Sequence, residues 1–157
     1  LVRKIIEGCS DIEAKFQSIT QLNFYSELLK PTTIYFNLIQ KILSENINIK
    51  GMAHITGGGI PENLPRCIPS NLIPYIDNQS WEIPFIFKFL KDVGEIPEND
   101  LWNTFNLGIG FCLVVNPKYK NAIFKICNSE NIPSWEIGKI NKKSNADNIS
   151  MFKGLSI

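Results

Sequence analysis

Apolar residues recur every three to four positions between residues 31 and 45, where Ile34, Tyr35, Leu38, Ile39, Ile42 and Leu43 would share one helical face. Pro31 opens that stretch, where a first helical turn tolerates proline. The period then shortens. Met52 to Thr56 reads as a strand running into Gly57-Gly58-Gly59, followed by a brief helical turn with Pro61 near its start and Pro65 and Pro69 limiting it. Leu72 to Ile76 is a further candidate strand. Pro84 opens a helix with an inward stripe of Ile86, Phe89, Leu90 and Val93, and Gly94 stops it. Gly108 to Val115 is apolar on both alternating faces, the pattern of a strand covered on both sides. Asn116-Pro117 caps a helix expected to bury Tyr119, Ala122, Ile123, Ile126 and Cys127. Trp135 to Ile140 and Ile149 to Phe152 complete the strands, while Leu1 to Ile6 reads as a helix entered midway. Strands interleaved with helices predict an α/β (α+β) fold, a mixed β-sheet with helices packed on it, in one domain over residues 1–157.

Composition narrows the function classes. A chain of 157 residues with 44% hydrophobic and 20% charged content suits a packed core rather than disorder. Sixteen basic against fifteen acidic residues leave a net charge of +1, which does not suggest a nucleic-acid partner, since that calls for a clustered basic face. The short run Lys139, Lys142, Lys143 reads as a solvated loop. No apolar run approaches the roughly 18–20 residues that span a bilayer, so no membrane partner is expected. The chain opens without Met or a signal-like segment and reads as part of something longer. Cys9, Cys67, Cys112 and Cys127 form no CxxC pair and no metal-like spacing. Cys112, inside an apolar strand, is expected to be a small buried hydrophobe, and a cytoplasmic setting fits these thiols.

The chemistry concentrates in residues 54–66. Three glycines between a strand and a helical turn let the backbone bend tightly and meet a ligand with no side chain between them. They serve either as a bend alone or as a cradle of backbone N–H groups for an anion such as phosphate. The segment is neither a Walker loop nor a G-x-G-x-x-G dinucleotide turn. His54, the chain's sole histidine, lies three residues before the glycines and is either a hydrogen-bonded core residue or a group that handles substrate. Arg66 and Arg3 are the two arginines of a chain that otherwise uses lysine for positive charge. A planar guanidinium beside a glycine bend suits phosphate or carboxylate; its alternative is an ion pair with Glu62, one helical turn earlier.

His54-Ile55-Thr56-Gly57-Gly58-Gly59 and the following Asn63, Pro65 and Arg66 resemble the H-I-T-G-G-G-x-x-x-N-x-P-R signature of the AIR synthetases, the phosphoribosylformylglycinamidine cyclo-ligases. Leu29 to Tyr35 is similar to that family's L-x-P-T-R-I-Y, Trp81 to Phe89 to its W-x-x-P-x-x-F, Thr104 to Phe111 to its T-F-N-x-G-I-G-M, and Trp135 to Gly138 to its W-x-I-G. The likeness covers essentially the whole chain, least distinctly over residues 9–27, and Leu1 to Ile6 resembles the point where the family's chain leaves its first domain. Selenophosphate synthetase, thiamine-monophosphate kinase and the hydrogenase maturation carbamoyl-dehydratase differ from it at the glycine loop.

The resemblance implies an AIR synthetase C-terminal domain-like fold. It implies a reaction in which ATP, with Mg, activates the formyl-derived amide oxygen of formylglycinamidine ribonucleotide. An amidine nitrogen then closes the imidazole ring to give aminoimidazole ribonucleotide, ADP and phosphate. On that likeness Thr56, Gly57, Gly58, Gly59, Asn63 and Arg66 hold substrate phosphate or reactive oxygen, and His54 is the candidate for proton transfer or substrate orientation. Asn106, Gly108 and Gly110 are secondary candidates, explained equally by close backbone packing. Thr33 stands where the family pattern has Arg. The domain that supplies most of the nucleotide site, the magnesium ligands and the homodimer contact resembles nothing in residues 1–157, so no metal ligand is assigned and the isolated chain is expected not to turn over. Its face toward that absent domain is expected to be exposed, and apolar surface there to favour weak self-association. The alternative reading is a non-catalytic phosphometabolite-binding or regulatory module.

Overall fold

The computed structural model of the chain describes residues 1–143 and 151–152. Helices α1 (Val2–Gly8), α2 (Ile12–Thr20) and α3 (Phe24–Leu28) come first, then α4 (Phe36–Ser44) and strand β1 (Ile49–His54). Helix α5 (Gly59–Asn63), a 3₁₀ turn at Leu64–Cys67 and β2 (Leu72–Ile76) follow, then α6 (Phe85–Val93) and α7 (Glu98–Thr104). Strand β3 (Phe111–Val115), a 3₁₀ turn at Pro117–Tyr119, α8 (Lys120–Ser129) and β4 (Gly138–Lys142) complete the order.

The first three helices are separated by local signals. Asp11 and Gln21 adopt φ of 60° and 59°, which stops the chain from continuing as one helix. Asn23 caps α3, its side-chain oxygen accepting from Ser26 N–H at 2.7 Å. The helices bury rings against α6. Phe16 stacks edge-on with Phe24 and Phe89 at centroid distances of 5.5 and 5.0 Å, and burying each such ring stabilises the fold by about 1.5–3 kcal/mol.

Strand β1 pairs antiparallel with β3, His54 opposite Phe111 and Ile49 opposite Val115. This pair separates two apolar clusters. Cys112 and Val114 face the larger one, with Ile55, Ile60, Leu90, Trp102 and Leu107; Leu113 and Val115 face the smaller one, with Leu38, Ile42, Ile123 and Cys127. Hence β3 is apolar on both faces, as its sequence predicts.

The mixed α/β character agrees with the sequence, but details differ. Among the described residues the strands form two antiparallel pairs, β1–β3 and β2–β4, rather than one sheet. Phe152 joins Ile76 of β2 through a parallel bridge, while Ile149 and Ser150 of the expected last strand lie outside the described residues. Trp135 to Ile137 precede β4 instead of forming it, and Lys139 and Lys142 are exposed residues on that strand rather than in a loop. The helix expected from residue 31 starts only at Phe36, leaving Ile34 84% exposed. Pro31 is followed by β-branched Thr32, Thr33 and Ile34, which favour extended backbone. Ala122 faces solvent, the α8 stripe being Ile123 and Cys127 one turn apart. Gly108 to Gly110 lie before β3, because Gly108 has φ +97° and bends the chain into it.

Candidate functional site

Antiparallel pairing places the end of β1 beside the start of β3. The two glycine segments, about fifty residues apart in sequence, therefore meet at one end of the strand pair. Ile55 N–H donates to Gly110 C=O at 2.9 Å, joining the exit of one strand to the entrance of the other.

The first bend is built from inside. Gly58 and Gly59 have φ of +90° and +58°, in the left-handed region that glycine occupies without strain. Gly59 is buried, and a side chain there would strike the carbonyl oxygens of Trp102 and Phe105 at the end of α7. Thr56 C=O accepts from Gly59 N–H at 3.0 Å. Asn63 is buried at 6% exposure, and its side-chain amide donates to the carbonyls of Gly57 and Gly59 at 3.1 and 2.8 Å. That amide nitrogen is spent on shaping the bend. The outer part is different: Thr56 and Gly57 are exposed, nothing lies within 4 Å of where a Gly57 side chain would start, and the Thr56, Gly57 and Gly58 amides donate to no group among the described residues.

Arg66 projects from the 3₁₀ turn and pairs with Glu62 at 2.7 Å, the two side chains being 63% and 61% exposed. Glu62 folds over Gly58, where a β-carbon would run into it. The guanidinium is thus beside the bend but held by a carboxylate, and an ion pair this exposed contributes at most about 1 kcal/mol.

The second bend is held equally firmly. Asn106 Oδ1 accepts from Gly108 N–H at 3.1 Å, and its carbonyl accepts from Ile109 N–H at 3.0 Å. Leu107, fully buried with φ 49°, is pinned by Trp81, whose indole N–H donates to the Leu107 carbonyl at 2.9 Å. Pro84 Cδ lies 2.7 Å from where a Gly108 side chain would start. A cavity of about 560 Å³ borders this second bend, with Tyr35, Leu38, Gly110, Ile123, Ile137 and Lys139 in its wall, and none of residues 54–59 lines it.

His54 is exposed at the last position of β1, not in the core. Its ring stacks on Phe111 at 6.1 Å and 28° and meets Tyr35 edge-on at 6.2 Å and 69°. In the sequence Tyr35 reads as part of a helical face and Phe111 as part of a strand, and neither is marked as a neighbour of His54. The available signal was register: Phe111 begins the strand that must pair with the one ending at His54.

Burial pushes the Cys112 thiol up to about 12, with Cys67 nearby adding to the effect, and burial also raises Cys67 and Cys127. These thiols stay protonated at neutral pH, as the buried-hydrophobe reading of Cys112 requires. No group of three or more His, Cys, Asp or Glu side chains that could hold a metal occurs among the described residues. No helix among them is long and apolar enough to cross a membrane.

A mixed α/β domain whose strand pair ends in two abutting glycine bends is the class of structure defined here. Residues 8–147 match the family model described as AIR synthase related protein, C-terminal domain, and the chain belongs to that family. Curated proteins named phosphoribosylformylglycinamidine cyclo-ligase are similar to it. The protein of Prochlorococcus marinus subsp. pastoris (strain CCMP1986 / NIES-2087 / MED4) is 62% identical over 146 residues, covering 93% of this chain and 42% of the relative. That of Prochlorococcus marinus (strain MIT 9312) is 61% identical over 152 residues, 97% of this chain and 44% of the relative. That of strain NATL1A is 46% identical over 155 residues, 99% and 45% respectively. The chain therefore spans less than half the length of these relatives.

Proposed function

We propose that this chain is the substrate-binding half of a cyclo-ligase that converts formylglycinamidine ribonucleotide to aminoimidazole ribonucleotide in purine biosynthesis. The observation that carries the reading is the outer part of the first bend: three consecutive amides without partners among the described residues, at exposed Thr56 and Gly57 and half-buried Gly58, beside an exposed imidazole. Oriented N–H groups of this kind suit the oxygens of a phosphate or of an activated amide. The names of the similar proteins support the choice of reaction.

In this assignment Thr56, Gly57 and Gly58 donate through the backbone to an anionic group of the substrate. Gly59 and Asn63 act from behind, fixing the shape of the bend. Arg66 reaches the same anion by exchanging its Glu62 partner, and His54 orients the substrate or moves a proton. Asn106, Gly108 and Gly110 set the second bend, which supports the first. ATP, Mg and the homodimer contact belong to the part of the relatives' length that this chain does not span. A preceding N-terminal domain of the same enzyme is the partner proposed for the exposed apolar side chains Ile19, Leu22, Tyr25, Leu29, Ile34 and Phe36. Free cysteines fit a reducing cytoplasm.

Titration calorimetry with inorganic phosphate and with formylglycinamidine ribonucleotide tests the site. Binding by the wild-type chain, weakened about tenfold or more by Arg66→Ala, is the expected result. No response to either compound would remove the assignment, and affinity unchanged by Arg66→Ala would return Arg66 to a structural ion pair. Without the rest of the enzyme, ATP-dependent ring closure by residues 1–157 is expected to be undetectable.

A further inference from the structure

We propose that Tyr35 and Phe111 are positioning residues for His54, together holding its imidazole in one orientation before any ligand arrives. The inference rests on the reading above, in which His54 meets the substrate. Phe111 lies directly across the strand pair from His54, and its ring stacks offset against the imidazole at 6.1 Å and 28°. Tyr35 closes from a second direction, 6.2 Å from His54 and 5.2 Å from Phe111, so the three rings form a closed triangle.

Tyr35 reaches that place because residue 110 is glycine: any side chain there would collide with its phenol oxygen. Gly110 thus provides the seat for one ring, and the next residue provides the other. Both supports touch the imidazole through ring contacts. Neither imidazole nitrogen makes a hydrogen bond among the described residues. A histidine retained for folding normally commits at least one nitrogen to a protein partner when buried. This one is exposed and restrained by carbon surfaces, with both nitrogens available to a ligand. A side chain held in one rotamer in advance loses less freedom when ligand binds, so the two rings contribute affinity without touching it.

Because His54 is the sole histidine, its two carbon-bound ring protons give an unambiguous NMR signature. In the wild-type chain these signals are expected to carry ring-current shifts and cross-relaxation to both Tyr35 and Phe111. Phe111→Leu and Tyr35→Leu should move them toward the free-histidine positions and weaken formylglycinamidine ribonucleotide binding about fivefold. Tyr35→Phe, which keeps the ring, should preserve both signals and affinity; Gly110→Ala should behave like Tyr35→Leu. Retained amide dispersion identifies variants that remain folded. His54 signals unmoved in folded Tyr35→Leu and Phe111→Leu overturn the proposal, as do moved signals with unchanged affinity, which leave the rings a packing role only. Absence of ribonucleotide binding by the wild-type chain, with the ring contacts intact, instead removes the functional reading and the proposal that depends on it.

Discussion

Within a single turn, Gly57 and Gly59 sit in opposite environments. At Gly59 the backbone is pressed against the carbonyl oxygens of Trp102 in α7 and of Phe105 just after it, and a side chain has nowhere to go. At Gly57 a side chain would meet nothing within 4 Å, and the φ angle is not in the left-handed region. The second bend resembles Gly59 more than Gly57: Gly108 needs its positive φ and abuts Pro84, and Gly110 makes room for Tyr35. Glycine therefore serves folding at three of these positions. At Gly57 folding does not require it, which is why the ligand reading concentrates there.

The contrast can be broken by substitution. Gly59→Ala should destabilise the fold by about 3 kcal/mol or more, since it combines strained φ with a backbone clash, lowering Tm by about 10 °C in a thermal melt. A melt indistinguishable from wild type would show that α7 yields easily and that the bend is not pinned from behind. Gly108→Ala should cost less, about 1–2 kcal/mol in urea unfolding, because the positive φ remains but the obstacle is the edge of one proline ring.

A smaller effect is expected at Glu98, which supports α7 and so the wall behind Gly59. Its hydrogen bond to Lys91, and a second from the Trp102 indole N–H at 2.9 Å, hold the Glu98 carboxyl below the usual carboxylate range. A lowered folded-state value gives stability that is complete above the unfolded value and is lost as pH falls through the folded one. The Tm gap between wild type and Glu98→Gln should therefore be largest near neutral pH and close in acid; a gap independent of pH would sink this account.

Gly57→Ala should change stability least, within about 0.5 kcal/mol, yet weaken phosphate binding by blocking the approach to the amides. Equal affinity in the two proteins would place the anion elsewhere.

Much of this arrangement was legible in the residues. The glycine run, the cap at Asn116 and the two-faced apolar strand each act locally, and local chemistry is what a sequence displays. Apolar spacing does not display α2, α3 and α7, although Asn23 and the acidic first turn at Glu98 and Asp100 are usable start signals. The five and seven residues of α3 and α7 give too few turns for a period to emerge, and α2, though as long as α4, buries only Ile12 and Phe16. At the site, the pairing of His54 with Phe111 and the seating of Tyr35 on Gly110 depend on strand register and on contacts across about fifty residues or more, which no single segment encodes. Asn63 illustrates the same limit. Its residue type suits a ligand contact, but only the folded backbone reveals that the bend itself consumes its amide.

Phe152 acts on the glycine turn although almost a hundred residues separate them in sequence. Its buried ring rests on Trp102 at 4.6 Å, and the carbonyl of that same tryptophan crowds Gly59. Phe152 is therefore a wedge driven behind the glycine turn. Trimming the chain ahead of Met151 should loosen the turn from its back side, without altering any atom that a substrate would meet.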